Sequence, residues 1–445
     1  MVHKDLLPLN LDDAVMVSMA SVGLSIAAGG GIGGGGILVP IFIIFGKFTP
    51  ELAIPLSNIT IFGGAIGNFY FNRRKSHPLC VGRPVIDYNL MSVFQPMIII
   101  GAIVGTYINK VSPSLVTSVL LVFLLVYTTY KTVGKGLKQY KLENKGEILN
   151  PPAQSPTLNL EMITPGGDKD STSMESSVPV VRRYLTMEDF NNNHPHSEMD
   201  ESNRTIQKIL AREYDFFPKV ILGKISVMFS LVLVVTLLRK LAMECGTKIW
   251  WFIGFLNLPI CLLTALSSRK DLLRDYLDKK EVKYTYLQGD IAWDENTTAK
   301  YPSIAILSGL CAGMFGIGGG IINGPLMLAL NCLPEVASGT AATMILFTSS
   351  TATISFVAFD MLKVDYAILL FILGLVCTIF GQVVLNRIIS KSGRRSLIAL
   401  SMGTITGASA VLMSIQSVGS LLNGDGLKSS GICDSDIHHG LHDGG

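Results

Sequence analysis

A chain of 445 residues with 49% hydrophobic and only 16% charged residues cannot cover a globular surface with polar groups, because soluble domains carry roughly 25% charged residues. Its net charge of +3 is too small to imply a polyanionic partner such as nucleic acid. A soluble enzyme, a disordered protein and a nucleic-acid binder are excluded together, and a mean hydropathy of +0.46 points to a membrane.

Residues 1–13 form a polar N-terminus. The first apolar run, Ala14 to Phe45, is broken by the glycines from Gly29 to Gly36 around Ile32. Asp12 and Asp13 precede it where a cleaved signal would carry basic residues, so the run reads as part of the mature chain. Runs at Leu52–Asn72, Asn89–Ile108 and Leu115–Val133 are each long enough to cross a bilayer as helix, which takes about 20 residues. The segment 134–215 holds Pro151-Pro152, Gly166-Gly167 and Ser- and Asn-rich stretches. It reads as a largely disordered cytoplasmic insert, because it cannot bury a core. Two more spans follow within 216–266, from Phe216 to Leu238 and from Ile249 to Leu266. Residues 267–301 read as a polar loop. A second broken run, Pro302 to Leu330, contains Gly316-Ile317-Gly318-Gly319-Gly320. Spans at Val336–Phe359, Tyr366–Leu385 and Leu397–Val418 complete the membrane part, and 419–445 reads as a disordered tail. Glycine clusters are poor in mid-helix, so each broken run is read as two helical legs joined by an unwound turn. The expected fold is all-α and polytopic, with about 10–12 membrane segments.

The chain contains an internal repeat. Gly31-Ile32-Gly33-Gly34-Gly35-Gly36 through Pro40 aligns without gaps with Gly316-Ile317-Gly318-Gly319-Gly320 through Pro325. Pro50-Glu51-Leu52-Ala53 matches Pro334-Glu335-Val336-Ala337, and Asp87-Tyr88 matches Asp365-Tyr366. A polar patch follows each broken run, Ser57-Asn58-Ile59-Thr60 in one copy and Thr340-Ala341-Ala342-Thr343 in the other. Residues 14–133 and 302–418 therefore read as homologous halves. If each glycine hairpin enters and leaves on one face, the loops on one side hold 19 Lys and Arg against 8 on the other. The first side is then cytoplasmic, with 239–248 (Arg239, Lys240, Lys248) dissenting. The halves acquire opposite topology, the inverted repeat of many secondary transporters.

Unwound backbone inside a bilayer is tolerated only where protein or a wet cavity surrounds it. A helix that starts at such a turn points free N–H groups back at it and favours an anion. Two such ends near the midplane make an anion site without Arg or Lys. The candidate substrate-binding residues are Gly33, Gly34, Gly35, Gly36 and Pro40, then Gly318, Gly319, Gly320 and Pro325. Ser57, Asn58, Thr340 and Thr343 join them as neutral hydrogen-bonding groups, although small polar residues also serve helix packing. Asp87 and Asp365 read as helix N-caps. Gln95 and Gln382 lie within spans, where they line a path or bond between helices. No catalytic constellation, cofactor motif or metal site is read. The seven scattered cysteines lack metal or disulfide spacing. His194 and His196, and the tail residues Cys433, Asp434, Asp436, His438, His439 and His442, give only a weak metal-binding composition.

The paired Gly-Ile-Gly-Gly-Gly…Pro signature resembles the TauE/SafE sulfite exporter family, also called toluene-sulfonate uptake permeases. His77-Pro78, Pro84 to Leu90 and Phe94-Gln95-Pro96-Met97 are similar to its plant and protist branch, as are Gly324-Pro325, Ala341-Ala342-Thr343 and Gly381-Gln382. The likeness covers 14–133 and 216–418, not the insert or the tail. It implies a multi-pass exporter of sulfite, sulfonates or related organic anions, in the plasma membrane or an endomembrane. The partners implied are a small anionic substrate and the lipid bilayer, with a coupling proton or cation left open. An anion channel and a non-transporting membrane scaffold are the alternative readings.

Overall fold

The computed structural model describes residue 6 and residues 10–30, 34–144, 201–242, 246–392 (save 283, 285 and 288) and 396–423. Gly33, the insert histidines and the metal-like tail residues lie outside them.

The first half is built from α1 (Leu11–Gly30), α2 (Gly35–Ile44), α3 (Pro50–Asn72), α4 (Tyr88–Val111) and α5 (Ser114–Asn144). A small antiparallel hairpin, β1 (Ser76–His77) with β2 (Cys80–Pro84), joins α3 to α4. Then come α6 (Glu201–Glu213), α7 (Lys219–Ala242), α8 (Lys248–Phe255) and α9 (Asn257–Glu281). The second half repeats the first as α10 (Glu295–Phe315), α11 (Gly320–Ala329), α12 (Pro334–Ala358), α13 (Val364–Ser392) and α14 (Ser396–Asn423). Eight stretches among the described residues are long and apolar enough to cross a membrane, with α8 and α9 forming one of them. The shorter α2 and α11, with α10 and α14, make up the remaining apolar helices of the two halves. The protein is an integral, multi-pass membrane protein.

Several helices run well past the expected boundaries. α5 continues to Asn144, inside the segment read as disordered, and α6 makes 201–213 helical. α9 runs on to Glu281 and α10 begins at Glu295, so most of 267–301 is helix rather than loop. Hydropathy marks only the bilayer-crossing part. Outside it, polar residues prolong the helix through pairs such as Lys279 with Asp275 one turn apart, at 3.0 Å.

The halves interlock, and equivalent helices run in opposite directions. Asp87, just after the hairpin that follows α3, meets Thr340 near the start of α12. The end of α3 and the start of α12 therefore share one end of the bundle. Asp13, at the start of α1, meets Tyr366, at the start of α13, at the other end. On α5 and α14, Gly136 faces Leu400 and Gly403 faces Val133, so that pair is antiparallel too. The contacts come in reciprocal sets. α4 packs on α10 as α13 packs on α1, and α13 on α3 as α4 on α12. This is the geometry of an inverted repeat.

Glycines allow the closest of these approaches. Side-chain carbons at Gly101 and Gly105 of α4 would overlap the backbone of Ile306 and Leu310. Carbons at Gly309 and Gly313 of α10 would overlap the carbonyls of Ile98 and Ala102. Each helix presents a Gly-x-x-x-Gly face to the other, as in tightly packed membrane pairs.

The loop that dissented from the charge bias is explained by its partners. Arg239 is buried, with its guanidinium carbon 4.4 Å from the Trp250 ring centre, 5.1 Å from Tyr107 and 5.4 Å from Phe359. Lys240 binds the Val357 carbonyl at 2.5 Å and Asp360 at 2.6 Å. Both cations are taken up by protein at the end opposite the basic loops.

Candidate functional site

Each glycine turn opens a short helix in the same way. Gly34 and Gly319 are the N-caps of α2 and α11, and both hold φ at 76° in the left-handed region. An L side chain is disfavoured there. The helical ladder of α2 begins with Ile37 and Leu38 N–H donating to Gly34 O at 3.1 Å. That of α11 begins with Ile322 and Asn323 N–H donating to Gly319 O at 3.1 and 2.9 Å. The amides before them, on Gly35, Gly36, Gly320 and Ile321, precede the ladder and point out of the helix ends. Pro40 and Pro325 sit inside the two short helices. Having no N–H, they leave the carbonyls one turn earlier without a ladder donor.

The two turns meet. A Cβ on Gly35 would lie 2.6 Å from Ile317 Cα and 2.6 Å from Ile61 Cδ1, and one on Gly318 would lie 2.9 Å from Ile61 Cγ2. Ile61 stands halfway along α3. Ile345, also beside Gly318, stands near the middle of α12. Both lie about 16 Å from their helix ends at 1.5 Å per residue, which is mid-depth in a bilayer whose hydrocarbon is about 30 Å thick.

Helices that stop at mid-depth also leave carbonyls to satisfy, and each half caps the other. Gln382 Nε2 on α13 donates to Ala28 O at the end of α1 at 2.7 Å. Asn109 Nδ2 on α4 donates to Met314 O at the end of α10 at 2.7 Å. Gln382 also donates to Asn68 Oδ1 at 2.8 Å and accepts from Lys75 Nζ at 3.0 Å. Burial pushes the Lys75 ammonium down to about 8.

The expected polar residues divide. Ser57 Oγ donates to Gly316 O at 2.9 Å, so α3 of one half holds the turn of the other. Asn58 Nδ2 donates to Ile54 O in its own helix at 3.2 Å. Its buried Oδ1 has no hydrogen-bond partner among the described residues, and as an acceptor it does not suit an anion. Thr343 bonds back to Gly339 O at 2.9 Å. Thr340 lies away from the turns, about 7 Å along α12 from Ile345, where its hydroxyl accepts from Asp87 N–H at 2.9 Å.

Two residues at the second turn carry no signal in the glycine motif. Asn323 is fully buried, and its Oδ1 accepts from Ser308 Oγ at 2.5 Å. That bond turns the amide N–H₂ away from Ser308, and Nδ2 has no acceptor among the described residues. A Cβ on Gly319 would lie 3.5 Å from this nitrogen. A buried neutral donor thus stands beside the helix end that Gly319 opens. The aligned position in the first half is Leu38, so the two turns differ chemically although their backbones match.

Inverted halves with glycine-broken helices near mid-depth are a layout found in many membrane transporters. The model of the sulfite exporter TauE/SafE family matches residues 15–164 and 220–410. The chain belongs to that family and is by class a membrane transporter. It is similar to sulfite exporter TauE/SafE family protein 3 of Arabidopsis thaliana, 26% identical over 389 residues, covering 87% of this chain and 75% of the relative. It is similar also to family protein 5 of the same plant, 25% identical with 91% and 83% covered, and to family protein 2, 27% identical with 87% and 80% covered. No solved structure matches the chain.

Proposed function

We propose that this protein carries sulfite, a sulfonate or a related small organic anion across its membrane by alternating access between the inverted halves. The anion binds where the glycine turns meet, held by the first amides of α2 and α11 and by Asn323 Nδ2. The meeting of two helix N-termini at mid-depth carries the reading. It supplies positive potential without a buried cation that would hold the anion too tightly to release it. Polar donors set in an apolar wall select an oxyanion. Gly35 packs so tightly on Ile317 that a Cβ there would overlap it, and on this reading the halves shift apart before the anion leaves. The names of the plant relatives support sulfite and the export direction.

The test is labelled sulfite and sulfate flux in proteoliposomes, with and without a pH gradient, for wild type and for Gly34→Leu with Gly319→Leu. Saturable flux lost in the double variant supports the reading. Uncoupled flux linear in voltage would make the protein a channel. No flux of either anion would refute sulfite as its substrate and favour a scaffold.

A further inference from the structure

Beneath the glycine turns, at the end carrying the basic loops, lies a cavity of about 410 Å³. Asp87 lines it, with Asn89 and Ser92 of α4 and Val336 of α12. Asp87 occupies the seam between the halves. Its Oδ1 caps α4 by accepting from Leu90 N–H at 3.0 Å, while its own N–H donates to Thr340 Oγ1 on α12. Parallel to this, Gln95 Nε2 on α4 reaches Thr348 Oγ1 on α12 at 3.4 Å. Any shift of one half against the other therefore changes what surrounds this carboxyl.

The charged groups facing Asp87 are already committed elsewhere. Arg83 of β2 pairs with Asp290 of the α9–α10 connection at 2.8 Å. Lys279 of α9 is held by Glu213 of α6 at 2.8 Å and by Asp275 at 3.0 Å. Cys332, between α11 and α12, faces Asp87 as a thiol that burial and the nearby carboxylates push far up, so it is neutral. Thr340 is uncharged. Among the described residues no cation pairs with Asp87. Burial raises its carboxyl above the ordinary range, against the Leu90 hydrogen bond and the more distant Arg83.

We propose that Asp87 is the proton-binding residue of this transporter, loaded from the cavity and unloaded when the halves exchange positions. The inference rests on the transport reading above and names its coupling ion. The step is proton transfer alone: an O–H bond of hydronium in the cavity breaks as one forms at the carboxylate, leaving water, and the reverse transfer to water occurs on release. A metal cation is the poorer occupant: Glu213, Asp215, Asp271, Asp275 and Asp290 also line the cavity, but among the described residues no three His, Cys, Asp or Glu gather closely enough to hold one, and Lys219, Lys224 and Arg274 share the wall. Lys224 is paired with Asp271, so Lys219 and Arg274 are the side chains that meet an incoming anion. Protonating Asp87 removes the negative charge that the anion would meet on its way to the turns, so the two move together.

The experiment uses the full chain in proteoliposomes loaded with a pH-sensitive dye. It compares labelled sulfite exchange at equal pH with accumulation under an inward proton gradient. Asp87→Asn keeps the helix cap, since asparagine caps as well as aspartate, and Asp87→Ser is a second cap-preserving variant. Wild type is expected to accumulate sulfite and acidify the lumen. Both variants retain exchange at equal pH and lose gradient-driven accumulation and acidification at least tenfold. Glu281→Gln removes an equal charge from an exposed position at the end of α9, outside the cavity lining, and keeps coupling. Wild-type flux without acidification, or acidification that persists in Asp87→Asn, overturns the proposal and leaves the transport reading intact. Absence of wild-type sulfite flux overturns both. Infrared spectroscopy of the wild type gives an independent test should the variants fail to insert. A protonated carboxyl band titrating above the ordinary carboxylate range supports the assignment, and its absence refutes it.

Discussion

Replacing Gly319 by alanine separates backbone strain from crowding. A Cβ there would meet Ala312 Cβ at 3.4 Å, Asn323 Nδ2 at 3.5 Å and Ser308 Oγ at 3.6 Å, all ordinary contacts. The strain comes from φ at 76°, where an L residue is disfavoured by about 1–2 kcal/mol. Free energy of that size lowers the ratio of the native turn to its alternatives by a factor of about 5–30. If the first amides of α11 bind the anion, flux at low sulfite falls by up to that factor. Gly223→Ala on α7 is the control, since a Cβ there meets nothing within 4 Å and alanine is the better helix former. The assay is the initial rate of labelled sulfite transport, paired with thermal unfolding in detergent. Gly319→Asn, which enters the left-handed region more readily, should recover part of any loss. Wild-type flux in Gly319→Ala with a lowered melting temperature would show that the turn only packs. Unchanged flux and melting would refute the strain argument itself.

Other perturbations reach different parts of the fold. Asn323→Leu, which copies the residue at the aligned position of the first half, should raise the sulfite concentration for half-maximal flux about tenfold or more. A hydrogen bond to a charged partner contributes about 1.5–3 kcal/mol, and unchanged saturation would remove Asn323 from the site. Gly309→Val should abolish monodisperse protein in detergent, because its side chain would overlap the Ile98 carbonyl where α4 and α10 touch. Glu213 is held by Lys279 and by Tyr284 Oη at 2.8 Å. Burial alone would raise its carboxyl, but Lys279 and Arg83 bring it below the usual range. Its contribution thus persists at all pH above the ordinary carboxylate value and is lost only as pH falls through the lowered one. Glu213→Gln should release α6 at neutral pH, read as faster limited proteolysis near residue 213, whereas wild type does so only in acid. Lys75 gives the opposite window. The folded lysine loses its proton near pH 8, while the unfolded one holds it to about 10.4. The unfolded chain binds more protons in between, so stability should rise from pH 8 to pH 10. Lys75→Met should flatten that slope in melting curves.

Much of the architecture was legible without coordinates because it depends on local chemistry. Apolar runs of bilayer length define the spans, and glycine clusters mark where helices stop. The order Gly-Ile-Gly-Gly-Gly, Pro-Glu, Asp-Tyr, met twice, shows two copies of one half. The basic loops predicted opposite topology, and Asp87 does cap α4 as its position implied. Helix ends were overrun because hydropathy reports burial in lipid, whereas Lys279 and Asp275 prolong α9 beyond it. Tertiary structure alone decided which polar groups the turns can use. Gln382 caps α1 from 354 residues away, and Asn109 caps α10 from 205 residues away. Ser57 spends its hydroxyl on Gly316 across 259 residues. Asn323 carries no signal in the sequence because it stands among glycine and isoleucine without a repeat partner, and only its bond from Ser308 shows which end of the amide is left over. A hydrogen bond has direction and a single occupant, so a side chain's availability is set by whoever reaches it first in space. In an inverted repeat that partner comes from the other half of the chain.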